Sequence, residues 1–163
     1  MAKQKEEKTN VMRILEQRGI AFTAHTYEHE EGVAVDGVTV AASLGQDPEC
    51  VFKTLVARGA SKSIYVFVIP VADSLDLKKA ARAVGEKSIE MVAVKEINAL
   101  TGYVRGGCSP VGMKKEYTTT FHETAEIVDT IMVSAGKIGY QVELAPTDLM
   151  ELVGGQLADL TVE

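Results

Sequence analysis

The chain has no tryptophan, two cysteines and three histidines. Cys50 and Cys108 are too few and too far apart for a disulfide framework or a zinc knuckle. His25 and His29 stand four apart, but inside the strand-like run of residues 23–29 rather than on a helix face. Neither HExxH nor CxxC occurs, so no metal and no other cofactor is expected. Also missing are GxxxxGK[ST], GxGxxG and the GxSxG elbow. Their absence argues against a P-loop, a dinucleotide fold and a serine hydrolase. No apolar run approaches the roughly 20 residues of a membrane-spanning helix. The opening residues lack the apolar centre of a secretion signal. A cytoplasmic protein without membrane contact is expected.

The 163 residues suit one domain, and a 46% hydrophobic fraction is enough for a core at that length. The net charge of −6 argues against broad electrostatic binding along a nucleic-acid backbone. The charge is uneven, however. Lys78, Lys79, Arg82, Lys87, Lys95, Arg105, Lys114 and Lys115 outnumber the anions in their window, which carries +5 and leaves −11 for the rest. Such a window reads either as a solvated helix face or as a local patch for a few phosphates.

Residues 1–8 read as a polar tail and residues 9–163 as the folded unit. Thr9 or Asn10 caps a helix through residue 18 that Gly19 ends. A strand follows at 21–27, then an acidic loop at 28–35 and a short helix opened by Asp36 or Thr39. Strands are expected at 50–58 and 63–70, and an Asp76-capped helix ends at Gly85. A strand at 88–94 runs into a helix at 95–102, and a glycine-rich loop reaches residue 112. Strands at 116–121 and 129–135 precede a hairpin turn at 136–139 and a strand at 140–145. Pro146 opens the last helix, ended by Gly154-Gly155, and residues 157–162 read as a final strand. Gly154-Gly155-Gln156 matches the tripeptide of peptide release factors, but a helix C-cap accounts for it better. The order of elements predicts an α/β (α+β) domain with a mixed sheet, not a purely parallel one.

Three segments carry potential chemistry. Lys53 lies in an apolar strand, so its ammonium either snorkels at an edge or meets an anion in a cleft. Gly106-Gly107 is either a plain turn or a nest of backbone N–H groups able to hold an oxyanion. Ser134 ends a strand where a hydroxyl can face a pocket, with no histidine evident as its base. Cys50 and Cys108 read as incidental thiols.

These segments, in order, resemble the YbaK/EbsC family of the prolyl-tRNA editing superfamily. The matching residues are His25-Thr26-Tyr27, Phe52-Lys53-Thr54-Leu55, Leu77-Lys78-Lys79-Ala80-Ala81 and Glu90-Met91. Further matches are Thr101-Gly102-Tyr103, Gly106-Gly107 with Ser109-Pro110, and Lys114-Lys115. The last are Val133-Ser134 with Gly136-Lys137, and Glu143-Leu144-Ala145-Pro146 with Asp148-Leu149. The resemblance implies a barrel-like sheet and hydrolysis of the ester in mischarged Cys-tRNA(Pro), and of Cys-tRNA(Cys) as an extension. It implies Lys53, Gly106 and Gly107 as catalytic residues, and Tyr27, Thr54, Ser134 and Asp148 as substrate-binding ones. Lys78, Lys79, Arg82, Arg105, Lys114 and Lys115 become candidate tRNA contacts. The partner is the acceptor end of a mischarged tRNA, with prolyl-tRNA synthetase as a third component of the complex. Two alternatives stay open: a deacylase for another mischarged tRNA such as Ala-tRNA(Pro), and a non-catalytic module that binds tRNA ends.

Overall fold

A computed structural model describes residues 8–163. Residues 1–7, most of the expected tail, lie outside the described residues, and Lys8 pairs with Glu16 at 3.0 Å. The helices begin and end where local chemistry directs. Thr9 Oγ1 accepts the Met12 N–H at 3.2 Å to open α1 (Asn10–Gln17). Asp36 caps α2 (Gly37–Ser43), and Asp76 caps α3 (Leu77–Val84). Gly85 closes α3 at a φ of 73°, which a side chain would resist. Pro146 stands at the start of α5 (Pro146–Val153).

Some boundaries differ from expectation. The strand at 88–94 shrinks to β4 (Ile89–Met91), and α4 (Val94–Thr101) starts early. Glu96 Oε2 reaches back to accept the Ala93 N–H at 3.2 Å, so helix chemistry takes over before the strand can extend. The final strand is also shorter, β8 (Gln156–Ala158), followed by an isolated Leu75–Thr161 bridge.

The strands form two open sheets rather than the barrel the resemblance implies. One has the order β1-β7-β6, from Phe22–Thr26, Tyr140–Leu144 and Ile131–Ser134, all antiparallel. The other has the order β4-β2-β3-β5-β8, with β2 at Phe52–Gly59, β3 at Ile64–Pro70 and β5 at Thr118–His122. Its β3-β5 and β5-β8 pairs are parallel, so the fold is mixed as expected. A bridge between Val51 and Met132 stitches the sheets together.

β3 has apolar residues on both faces because both are covered. Val66 and Val68 join Phe52, Phe121, Val133, Val142 and Leu149 in a core that α1 and α5 close. Phe67 and Ile69 face Ala80 and Ala81 of α3 on the other side. Among the described residues no helix is long and apolar enough to cross a membrane.

Candidate active site

Where β2 begins, the two sheets, the 28–36 loop and the 102–112 loop enclose a cleft of about 540 Å³. Tyr27, Lys53, Thr54, Arg105, Gly106 and Ser134 all line it. Residues far apart in sequence thus converge, because β1 and β6 end, and β2 begins, at this cleft.

Lys53 is half-buried on the wall of this cleft. Among the described residues no carboxylate lies within 4.0 Å of its ammonium. Burial pushes its pKa down from the usual lysine value, and Asp73 draws it partly back. A cation held this way favours an arriving anion. The structure places Lys53 on the cleft wall, with no anion paired with it among the described residues.

The glycine pair divides its tasks. Gly106 lines the cleft at a φ of +87°, and a Cβ there would lie 2.6 Å from that of Ala34. Its N–H is engaged by no backbone acceptor among the described residues. Gly107 does not line the cleft. Its N–H donates to Val104 O at 3.0 Å, and a Cβ would meet the Ile138 N at 2.9 Å. One glycine lines the cleft with its N–H unclaimed by a backbone acceptor among the described residues, and the other lets the loop press against the β6–β7 turn.

Ser134 is buried, and its Oγ accepts the Gly136 N–H at 3.2 Å. No histidine serves it as a base. His25 Nε2 bonds Glu143 at 2.8 Å, His29 Nδ1 bonds Glu30 O at 2.9 Å, and His122 Nδ1 accepts the Leu160 N–H at 3.1 Å. Cys108 also reaches the cleft, but burial pushes its thiol up to about 11, with Thr101 partly opposing. It is neutral near pH 7 and a poor nucleophile.

The remaining candidates lie elsewhere. Asp148 is absent from the cleft lining and sits in the first turn of α5, where a carboxylate complements the helix dipole. Lys79 is held by Asp159 at 3.0 Å, Glu163 at 3.7 Å and Thr161 O at 2.8 Å, which leaves it little capacity for phosphate. Lys78 and Arg82 are exposed on α3. Lys114 packs along Gly102, while Lys115 borders a second cavity of about 520 Å³ together with Arg18. The basic window of the sequence is therefore carried by separate elements, with Arg105 alone at the cleft.

Among the described residues, His122, Glu123 and Asp159 bring possible metal ligands within 4.8 Å of one another. The His122 Nδ1 and the Asp159 carboxylate already serve Leu160 and Lys79, so these residues pin the C-terminal segment.

Sequence reasoning missed Gln141 and treated Asp36 only as a helix cap. Both line the cleft. Asp36 does cap α2, with its carboxylate held by the Val38 and Thr39 N–H groups and the Thr39 hydroxyl. The alternation through β7 marks Gln141 as lying on the face opposite Val142 and Leu144, but not that a pocket covers that face.

Comparison with known proteins agrees with this geometry. Residues 32–152 match the aminoacyl-tRNA editing domain. A curated protein of Enterococcus faecalis, "Putative Cys-tRNA(Pro)/Cys-tRNA(Cys) deacylase EbsC", is 44% identical over 100% of this chain and 99% of its own length. A crystal structure of "a putative trans-editing enzyme for prolyl tRNA synthetase" superposes with a TM-score of 0.79 at 26% identity, covering 94% of this chain and 95% of that one. A solved hypothetical protein shares the fold, with a TM-score of 0.82 at 23% identity over 96% of this chain and 100% of its own. The chain belongs to the aminoacyl-tRNA editing domain family.

Proposed function

We propose that this chain is a deacylase that clears cysteine from mischarged Cys-tRNA(Pro), and also acts on Cys-tRNA(Cys). The observation that carries this reading is Lys53, a half-buried cation inside the family's domain with no ion-pair partner among the described residues. An aminoacylated tRNA end brings phosphate and develops negative charge on the ester oxygen as it reacts. Lys53 anchors the phosphate or ribose of the terminal adenosine, and Arg105 at the rim takes a neighbouring phosphate. The Gly106 N–H points to the developing oxyanion. Tyr27, Thr54 and Ser134 orient the substrate's polar groups, and Asp148 and Gly107 support the elements that flank the cleft.

The nucleophile is the substrate's own thiol. Sulfur attacks the ester carbonyl, the carbonyl–ribose bond breaks, and the thiol's proton leaves with the ribose oxygen. Water then opens the resulting thiolactone to free cysteine. The neutral Cys108 and a Ser134 without a histidine hydrogen bond fit a protein that positions rather than attacks. Good positioning alone is worth up to about 7–11 kcal/mol of barrier. Proline and cysteine are near in size, so a synthetic site cannot reject one strongly and a second site is required.

The setting is the cytoplasm, with residues 9–163 as the editing unit. Because the net charge is −6, intrinsic affinity for bare tRNA is weak and prolyl-tRNA synthetase presents the substrate in a ternary complex. A panel of labelled mischarged tRNAs tests the assignment. Rapid ester loss from Cys-tRNA(Pro), with Ser-tRNA left intact, supports it. Equal cleavage of both defeats the substrate-thiol step, and binding without turnover defeats the enzyme reading.

A further inference from the structure

Gln141 occupies an unusual position. It lies opposite Ser134 of β6 and His25 of β1 in the strand register, so the three side chains share one face of the sheet. It is only 7% exposed and lines the cleft, yet its Oε1 accepts no hydrogen bond from the described residues. Neither neighbour bonds it. The His25 Nε2 is bonded to Glu143, and the Ser134 hydroxyl, which accepts the Gly136 N–H, makes no hydrogen bond to the amide oxygen. Thr54 Oγ1, also in the lining residues, is likewise buried without a partner.

A buried carboxamide oxygen without a donor is unfavourable, and native proteins rarely keep one without a reason. The ready source of a donor is a molecule in the cleft. The terminal amide turns about its last torsion with a broad, two-fold profile, so it can present the oxygen inward at little cost. The position is uncharged and shares its cleft with Lys53, which disfavours reading a second full positive charge there and favours a neutral donor.

We infer that Gln141 is a specificity-determining residue whose carboxamide accepts a hydrogen bond from an N–H or O–H donor of the aminoacyl-adenosine end. That donor is either the uncharged α-amine or the ribose hydroxyl beside the ester. The inference rests on the deacylase reading above. A site built around such an acceptor discriminates against ligands that lack the donor, because the oxygen is then left unpaired.

The test uses the full chain and three substrates: Cys-tRNA(Pro), its deamino analogue carrying 3-mercaptopropionate, and a tRNA ending in 2′-deoxyadenosine. Gln141→Met keeps length and removes the amide. It should lower kcat/KM on Cys-tRNA(Pro) about tenfold, and the penalty should vanish on one of the two analogues, which names the donor. An unchanged kcat/KM on the intact substrate overturns the inference, as does an equal penalty on all three substrates. If Gln141→Met folds poorly, Gln141→Asn, which withdraws the amide by one methylene, is read in the same way. Turnover by the parent protein with an indifferent Gln141 variant defeats this inference alone, whereas a parent protein without turnover defeats the deacylase reading with it.

Discussion

Replacing Lys53 separates function from stability. Its ammonium is half-buried, with no carboxylate of the described residues within 4.0 Å, and its pKa is pushed down by burial. A lysine whose folded pKa is depressed works against the folded state while it is charged. That penalty is fully present below the folded pKa and is relieved as pH rises from there towards the ordinary lysine value. Lys53→Met keeps the stem and removes the charge, so the melting temperature should hold or rise. Catalysis should move the other way. Losing one charge-assisted hydrogen bond to the substrate costs about 1.5–3 kcal/mol, or roughly 10- to 150-fold in kcat/KM. The assays are thermal denaturation from pH 7 up towards the ordinary lysine value, and single-turnover deacylation of Cys-tRNA(Pro). The stability gap between the variant and its parent should narrow as pH rises through that range. Deacylation within about threefold of the parent, or activity and melting temperature falling together, would refute the reasoning.

Other outcomes follow from the same contacts. Gly106→Ala should lower stability by about 1–3 kcal/mol, through strain at a φ of +87° and a contact 2.6 Å from the Ala34 Cβ, and should slow deacylation; chemical denaturation and kcat/KM report the two effects. Cys108→Ala should leave deacylation nearly intact, and Cys108 should react with iodoacetamide far more slowly at pH 7.5 than an exposed thiol, because its pKa is about 11. Glu143 is held below its ordinary pKa by Thr130 and His25, so its contribution is present above the usual carboxylate range and is lost as pH falls through the depressed value. Glu143→Gln should therefore flatten the acid limb of a melting-temperature profile, by about 1 kcal/mol or less given solvent screening. Leu149→Ala, at a fully buried position in α5, should cost about 2–5 kcal/mol in urea denaturation.

Much of the architecture was legible because its signals are local. Asp76 and Gly85 bracket α3, and Pro146 and Gly154 bracket α5, by interactions that span a few residues. The α4 start was misjudged because a single side chain, Glu96, tips the balance between strand and helix. Two open sheets could not be told from a barrel, since closure depends on strand pairing across the whole chain, and the Val51–Met132 bridge joins residues 81 positions apart. The pairing of Lys79 within the basic window was hidden for a similar reason. Charge counted along the chain ignores that Asp159 and Glu163 fold back onto Lys79.

The site was legible only where a residue violated its surroundings. Lys53 stood out because an ammonium among apolar strand residues needs a reason, and the structure supplies one in the cleft. Gln141 has the same defect, an unsatisfied polar group in the interior, but a glutamine alternating with Val142 in a strand looks like any solvent-facing residue. Its burial comes from β2 and the two loops laid over the sheet, which no local pattern encodes. Asp148 shows the converse. It lies in a segment that matches the family, yet its position is explained by the helix it begins. Resemblance therefore proposes a site, and burial set against hydrogen bonding ranks the residues within it. By that standard Lys53 and Gln141 rank together, one seeking an anion and the other a donor, and a terminal aminoacyl-adenosine offers both within one ligand.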